Sequence, residues 1–236
     1  MITLGNEYLK RWLYGRIGVC YNSLGVPFSL AKHLQKWSRI SVIDVGAHAG
    51  EFTNALDRFC GVERGLLLEA QPGRAAELSK LFSPERFEIR QCVVCDRSGE
   101  IDLEINEFDA TTSMLKIRRE MAELAGLDVR PKATIRCKTA RLDDLVSSVR
   151  FPRIELLKLD VQGAEHLVIE GAPKTLLRTQ MIWTEVSFVQ LYEQSCLFHE
   201  VHARLREKGF ALAELEGGFR SPTNELLQAD ALFTRP

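Results

Sequence analysis

From residue 40 onward, short apolar runs alternate with amphipathic stretches, and few architectures accept that rhythm. ISVID (40–44) reads as a buried strand and is followed by a helix over 51–60. GLLLEA (65–70) is a second strand, with a helix from Gly73 to Phe82 behind it. FEIRQCVV (87–94) is a third. EIDLEI (100–105) and TIRCKTA (134–140) alternate as half-exposed strands do, flanking an irregular 107–132 stretch with a short helical piece near 115–125. IELLKLD (154–160), a helix beyond Gly163 and MIWTEV (181–186) resume the rhythm. A helix over 196–208 then leads into a closing hairpin of FALAEL (210–215) with DALFT (230–234). Such alternation predicts an α/β fold, a doubly wound and mostly parallel sheet with helices on both faces. Ligands of these sheets bind beyond the carboxyl ends of the strands, where the strand order reverses, so chemistry is expected there.

Upstream, Leu9, Trp12, Leu13, Arg16, Ile17 and Cys20 fall on one helical face, Gly25-Val26-Pro27 interrupts it, and Ser29 is placed to cap a second short helix ending near Trp37. The expected organisation is a helical extension over 1–39 and one α/β domain over 40–236. The extension is expected to pack over the ligand crevice or against a second copy of the chain, as in a homodimer. Trp12 amid Lys10 and Arg11 makes a lesser case for peripheral membrane contact. A chain of 236 residues, 45% of them hydrophobic, buries roughly 70% of its unfolded surface and needs no disulfide or metal to hold a core. Cys20, Cys60, Cys92, Cys95, Cys137 and Cys196 are therefore read as free thiols; Cys92-x-x-Cys95 lacks the second pair of a zinc set, and no metal site is expected. The balance of 31 basic and 32 acidic residues argues against a nucleic-acid partner. No apolar run reaches the ~18 residues of a membrane span. Glu7, Lys10, Arg11 and Arg16 interrupt any secretory core, so a cytoplasmic location is expected.

The first strand runs straight into Val45-Gly46-Ala47-His48-Ala49-Gly50 and a helix. It lacks the G-x-G-x-x-G that cradles a dinucleotide pyrophosphate. It offers instead D-x-G-x-H-x-G, with Asp44 inside the strand end. That pattern suits S-adenosylmethionine, which has no phosphate: Asp44 neutralises the ammonium, and N–H groups at the helix start receive the carboxylate. Glu69 closes the second strand 25 residues later, where a ribose diol is held in such sheets. Asp160 closes a further strand and is expected in the same crevice. Gly163 permits a tight turn there, and Glu165 falls in the first helical turn, where the helix dipole favours a carboxylate.

The segments DVGAHAGEF, LLLEAQP, LLKLDVQGAEHLVIEGA and WTEV, in this order and spacing, resemble the FkbM-type S-adenosylmethionine-dependent methyltransferases over about residues 40–215. The resemblance implies a Rossmann-like class I fold, seven-stranded with an antiparallel final hairpin. It also implies O-methylation of hydroxyls on sugars or polyketide-type natural products. Asp44, Gly46, Ala47, His48 and Gly50 would form the cofactor loop, Glu69 with Ala70 beside it would bind the ribose, and Asp160 would touch the cofactor as well. His48 stands where the family commonly has Asn, which keeps a hydrogen-bonding group. Gln162 stands where it often has Glu, which removes an acid. In methyl transfer to oxygen the enzyme aligns the acceptor and a base takes its proton. Asp160 is the first candidate for that base, Glu185 at the end of MIWTEV and His48 come next, and Glu165 is last.

Phe108, Thr111, Thr112, Ser113 and Met114 border the expected acceptor site, which Gln162 and Glu185 also face. Between Lys116 and Arg141, eight basic residues stand against three acidic ones. A positively charged lid over an anionic acceptor, such as a nucleotide-activated or phospholipid-linked sugar, is set against a merely solvated basic loop. Two other functions are weighed. A nicotinamide-dependent oxidoreductase is disfavoured by the missing G-x-G-x-x-G, and a non-catalytic cofactor-fold module by the joint presence of Asp44, Glu69, Asp160 and Glu185.

Overall fold

The computed structural model describes residues 21–107, 109–125, 129–149, 151 and 153–236. The helix expected over the first 20 residues, Cys20 and Phe108 lie outside the described residues. The chain runs α1 (Phe28–Leu34), β1 (Ile40–Val45), α2 (Glu51–Cys60), β2 (Val62–Glu69), α3 (Pro72–Leu81), β3 (Phe87–Gln91), β4 (Val93–Cys95) and β5 (Gly99–Asn106). A 3-10 turn (Asp109–Thr111), α4 (Arg119–Ala125), β6 (Pro131–Arg141), α5 (Leu142–Ser147), β7 (Ile154–Leu159), α6 (Glu165–Glu170) and α7 (Pro173–Leu177) follow. β8 (Thr179–Ser187), α8 (Phe198–Glu207), β9 (Ala211–Arg220) and β10 (Leu226–Thr234) complete it.

Seven strands form one sheet in the order β3-β2-β1-β7-β8-β10-β9. The first five are parallel; β10 joins β8, and β9 joins β10, antiparallel. β1 and β7 are buried at every position, as strands covered on both faces must be. Ile43, Val45, Leu66, Leu157 and Ile182 turn to one face and pack with Val146 of α5, Val168 of α6, Leu176 of α7 and Leu205 of α8. Ile40, Val42, Leu156, Trp183 and Leu232 turn to the other, under Leu30 and Leu34 of α1, Leu56 of α2 and Leu78 of α3. The strand order reverses between β1 and β7, which is where the alternation leads a ligand crevice to be expected.

Three expectations are corrected. The run 87–94 is not one strand: β3 leaves the main sheet at Gln91, the Cys92 N–H bonds Glu69 O at 3.1 Å, and β4 pairs with β6 in a separate sheet ordered β4-β6-β5. Ser29 does not cap α1. Pro27 precedes the helix, and the Ser29 N–H and hydroxyl both donate to the Glu216 carboxylate of β9, a partner 187 residues away that local pattern cannot reveal. The basic stretch is not one loop, since 131–141 is the central strand of the small sheet. Lys132, Arg136 and Lys138 share its exposed face, with Arg136 paired to Glu100 and Asp102. The described cysteines are free thiols. Among the described residues no helix is long and apolar enough to cross a membrane.

Candidate active site

Lys158, a residue that sequence reasoning passed over, organises the crevice. β1 and β7 place Asp44 and Lys158 in register, so both side chains leave the sheet on the α2 side. The Lys158 ammonium donates to Gly46 O at 2.9 Å and is ion-paired with Asp44 Oδ1 at 3.2 Å and Asp160 Oδ2 at 3.3 Å. Burial alone would discharge this amine, but the Asp44 and Asp160 carboxylates outweigh it and keep Lys158 protonated above the usual lysine range. The signal was present in LLKLD, because a lysine inside an otherwise apolar strand needs a buried acid as its partner.

Asp44, read as the partner of a ligand ammonium, has a carboxylate that is 0% exposed, accepts the Thr53 hydroxyl at 2.7 Å and is ion-paired with Lys158. The negative charge that reaches the crevice belongs to Asp160. Its side chain is 40% exposed and held between Lys158 and the Gln162 amide, which donates to Oδ1 at 2.9 Å. The loops after β1 and β7 touch through their backbones. Gly46 has φ +80°, and a β carbon there would lie 1.9 Å from Asp160 O.

The loop after β1 is laced to β2. The Gly46 and Ala47 N–H groups donate to Leu68 O at 2.9 and 3.1 Å. His48, with φ +47°, donates its N–H to Glu69 Oε2 at 2.8 Å, and the Gln71 N–H takes Oε1 at 2.8 Å. Glu69 is thereby fixed at the crevice edge, with further lone pairs for hydroxyl donors. Ala70, next in line, packs on the apolar cluster of the small sheet. α2 begins at Gly50 with no side-chain cap, which suits an anionic group at its first turn.

The 3-10 turn is fastened over this loop. Asp109 accepts two bonds from Arg74, at 3.0 and 2.6 Å, and its Oδ1 lies 3.3 Å from His48 Nε2. Burial would raise the Asp109 pKa, but Arg74 and His48 bring it below the usual carboxylate range. The Glu51 carboxylate foremost, opposed by burial and aided by Asp109, lifts His48 above its ordinary value. Neither Arg74 nor Asp109 carried a sequence signal, because they meet only when the 109–111 turn crosses α3.

A second row of acids borders Asp160. Glu185 of β8 stands in register with Asp230 of β10, and its Oε2 accepts the Gln228 amide at 2.6 Å. Burial first, then Asp160, Glu165 and Asp230, push Glu185 well above the carboxylate range. Burial and Asp160, opposed by Lys158, bring Asp230 to about 7. Glu165 is 5% exposed and caps its own loop: Oε1 accepts the Val161 N–H at 3.0 Å and the Gly163 N–H at 3.3 Å. Its pKa rises to about 7, chiefly through burial. Ser113 donates to Val161 O at 3.3 Å, and the Tyr192 hydroxyl lies 3.0 Å from Gln162 Oε1. Ser113 and Gln162 thus come to the same edge as Asp160. Among the described residues no group of three or more His, Cys, Asp or Glu side chains is arranged to hold a metal ion.

A sheet of this order, with acids gathered where the order reverses, defines the Rossmann-like class I methyltransferase fold. Within it the chain belongs to the FkbM methyltransferase family, whose domain matches residues 44–212. A curated relative, 2-O-methyltransferase NoeI from Sinorhizobium fredii (strain NBRC 101917 / NGR234), is 29% identical over 180 residues, 73% of each chain. Among solved structures, methyltransferase FkbM from Methylobacillus flagellatus KT superposes with a TM-score of 0.53 at 12% identity. That match covers 84% of this chain and 44% of the other, so this chain spans less than half the length of that structure.

Proposed function

We propose that this protein transfers a methyl group from S-adenosylmethionine to a hydroxyl oxygen of a sugar or a related small natural product. The observation that carries the reading is the strand-end crevice, where Asp160 presents an anchored carboxylate within backbone contact of Gly46 and one strand away from Glu69. Membership of the FkbM family supports methyl transfer, and likeness to a 2-O-methyltransferase supports oxygen as the acceptor atom. The acids fit the cofactor's groups: Asp160 for its ammonium, Glu69 for its ribose diol and the uncapped start of α2 for its carboxylate. When bound, the cofactor supplies an electrophilic methyl on a sulfonium.

The protein's own residues then have two tasks. The loop from Gly46 to Gly50 and the Asp160 carboxylate hold the donor so that the acceptor oxygen lies in line. Glu185 takes the hydroxyl proton, because a carboxylate lifted above its normal range is a stronger base than an ordinary one. Asp160, matched by Lys158, is assigned to holding the donor rather than to proton transfer.

Isothermal calorimetry with S-adenosylhomocysteine and with NAD decides the cofactor; heat with NAD alone would establish the oxidoreductase reading instead. With labelled donor and sugar acceptors, E185Q should keep S-adenosylhomocysteine affinity and lose roughly 10²- to 10⁴-fold in turnover. D160N should lose affinity first. No turnover by a protein that binds S-adenosylhomocysteine would leave the non-catalytic module.

A further inference from the structure

We propose that Gln228 is a positioning residue for methyl transfer, its amide holding Glu185 both as the carboxylate that takes a proton and as the acid that results. The assignment rests on the reading above, in which Glu185 is the base. β8 and β10 run antiparallel, with Asp230 opposite Glu185 and Gln228 opposite Ser187. Gln228 and Glu185 are therefore diagonal neighbours on one face of the sheet, within reach of long side chains. The Gln228 amide nitrogen donates to Glu185 Oε2 at 2.6 Å and lies 3.4 Å from Ser187 Oγ. Gln228 is 6% exposed, so packing holds it there. Glu185 is half-buried, and among the described residues no second donor bonds its carboxylate. Its Oε1 is the oxygen left for a ligand hydroxyl.

The surroundings explain why an amide stands here. Facing Glu185 are Asp160 and Lys158 of β7, Glu165 at the start of α6, Asp230 of β10 and the Tyr192 hydroxyl. Glu216 of β9 stands opposite Asp230. Acids outnumber the one ammonium and oppose a charge on Glu185, whereas a donor at Oε2 favours that charge. In the reaction the hydroxyl proton passes to Glu185 as the acceptor oxygen bonds the methyl and the methyl–sulfur bond breaks, its electron pair remaining on sulfur. The sulfonium's positive charge and the carboxylate's negative charge are lost together. Glu185 then has a proton to donate. A half-turn of the Gln228 terminal torsion replaces its donor with an acceptor, and the Ser187 hydroxyl serves either orientation. A lysine or arginine in this place would hold the carboxylate ionised, and another acid would repel it.

The test follows Glu185 itself, by carbon-13 NMR titration of glutamate-labelled protein saturated with S-adenosylhomocysteine, the signal assigned by its absence in E185Q. Q228M keeps the length of the side chain and removes the donor; Q228N keeps an amide one methylene short of Glu185. Both should titrate Glu185 about one pH unit above the parent. With labelled donor and sugar acceptors, both should lose roughly tenfold in turnover on the acidic limb and regain most of it at alkaline pH, with parental S-adenosylhomocysteine affinity. An unmoved Glu185 titration, or a turnover loss equal at every pH, overturns the positioning role and leaves Glu185 as the base. Full turnover in E185Q overturns the base reading and this one with it.

Discussion

Lys158 shows how one buried charge shapes a site. Substituting it by Met leaves Asp44 enclosed and unpaired, which costs about 3–5 kcal/mol, whereas removing both charges together in D44N/K158M should cost clearly less. Urea denaturation of the two variants measures the difference. Proton linkage gives a second prediction. Glu165 and Asp230 titrate near 7 in the fold against ordinary values of 4.5 and 3.8. Acids raised in this way bind more protons folded than unfolded between those values, so their contribution to stability declines as pH rises toward 7. His48, raised by Glu51, acts in the same direction above its ordinary 6.5. E165Q should therefore lose less stability than the parent protein between about pH 5 and about pH 8. In turnover, the raised Glu185 predicts an acidic limb above the usual carboxylate range that disappears in E185Q.

At the scale of elements, two close approaches hold loops and sheets in place. Gly46 brings the β1 loop onto Asp160, and a β carbon at Gly171, after α6, would lie 2.2 Å from Cys95 O at the end of β4. G171A should force the small sheet away from α6 and cost about 1–3 kcal/mol without touching cofactor affinity. G46A should do the reverse, losing S-adenosylhomocysteine heat more than melting temperature, because it opens the crevice where the ligand is proposed to sit. The same scale shows why sequence patterns failed between 87 and 141. FEIRQCVV is uniformly strand-like, and nothing local marks Cys92 as the point where pairing passes from one sheet to the other. Lys132, Arg136 and Lys138 looked like a charged lid because alternation in a half-exposed strand and scatter in a loop resemble each other at this length.

Over the whole molecule, the two sheets share a core. Cys92 and Val94, on the way into the small sheet, belong to the same apolar cluster as Ile43 and Leu157 of the main sheet. Tryptophan fluorescence and far-ultraviolet circular dichroism should therefore report one coincident unfolding transition; a separate early step would mark the small sheet as an independent unit. The sequence alone determined the alternation of strands and helices, the position of the crevice, the glycines of its turn and the acids at the ends of β1, β2, β7 and β8. Each of those is a local pattern, set by periodicity, by backbone conformations that glycine permits, or by the cost of an acid in an apolar run. Only the tertiary structure decided which acid faces outward, that Lys158 neutralises Asp44, that Glu165 caps a loop, and that Gln228 meets Glu185. Those outcomes depend on strand register and on contacts between residues tens of positions apart, and hydrogen bonding across such distances leaves no periodic trace in the chain.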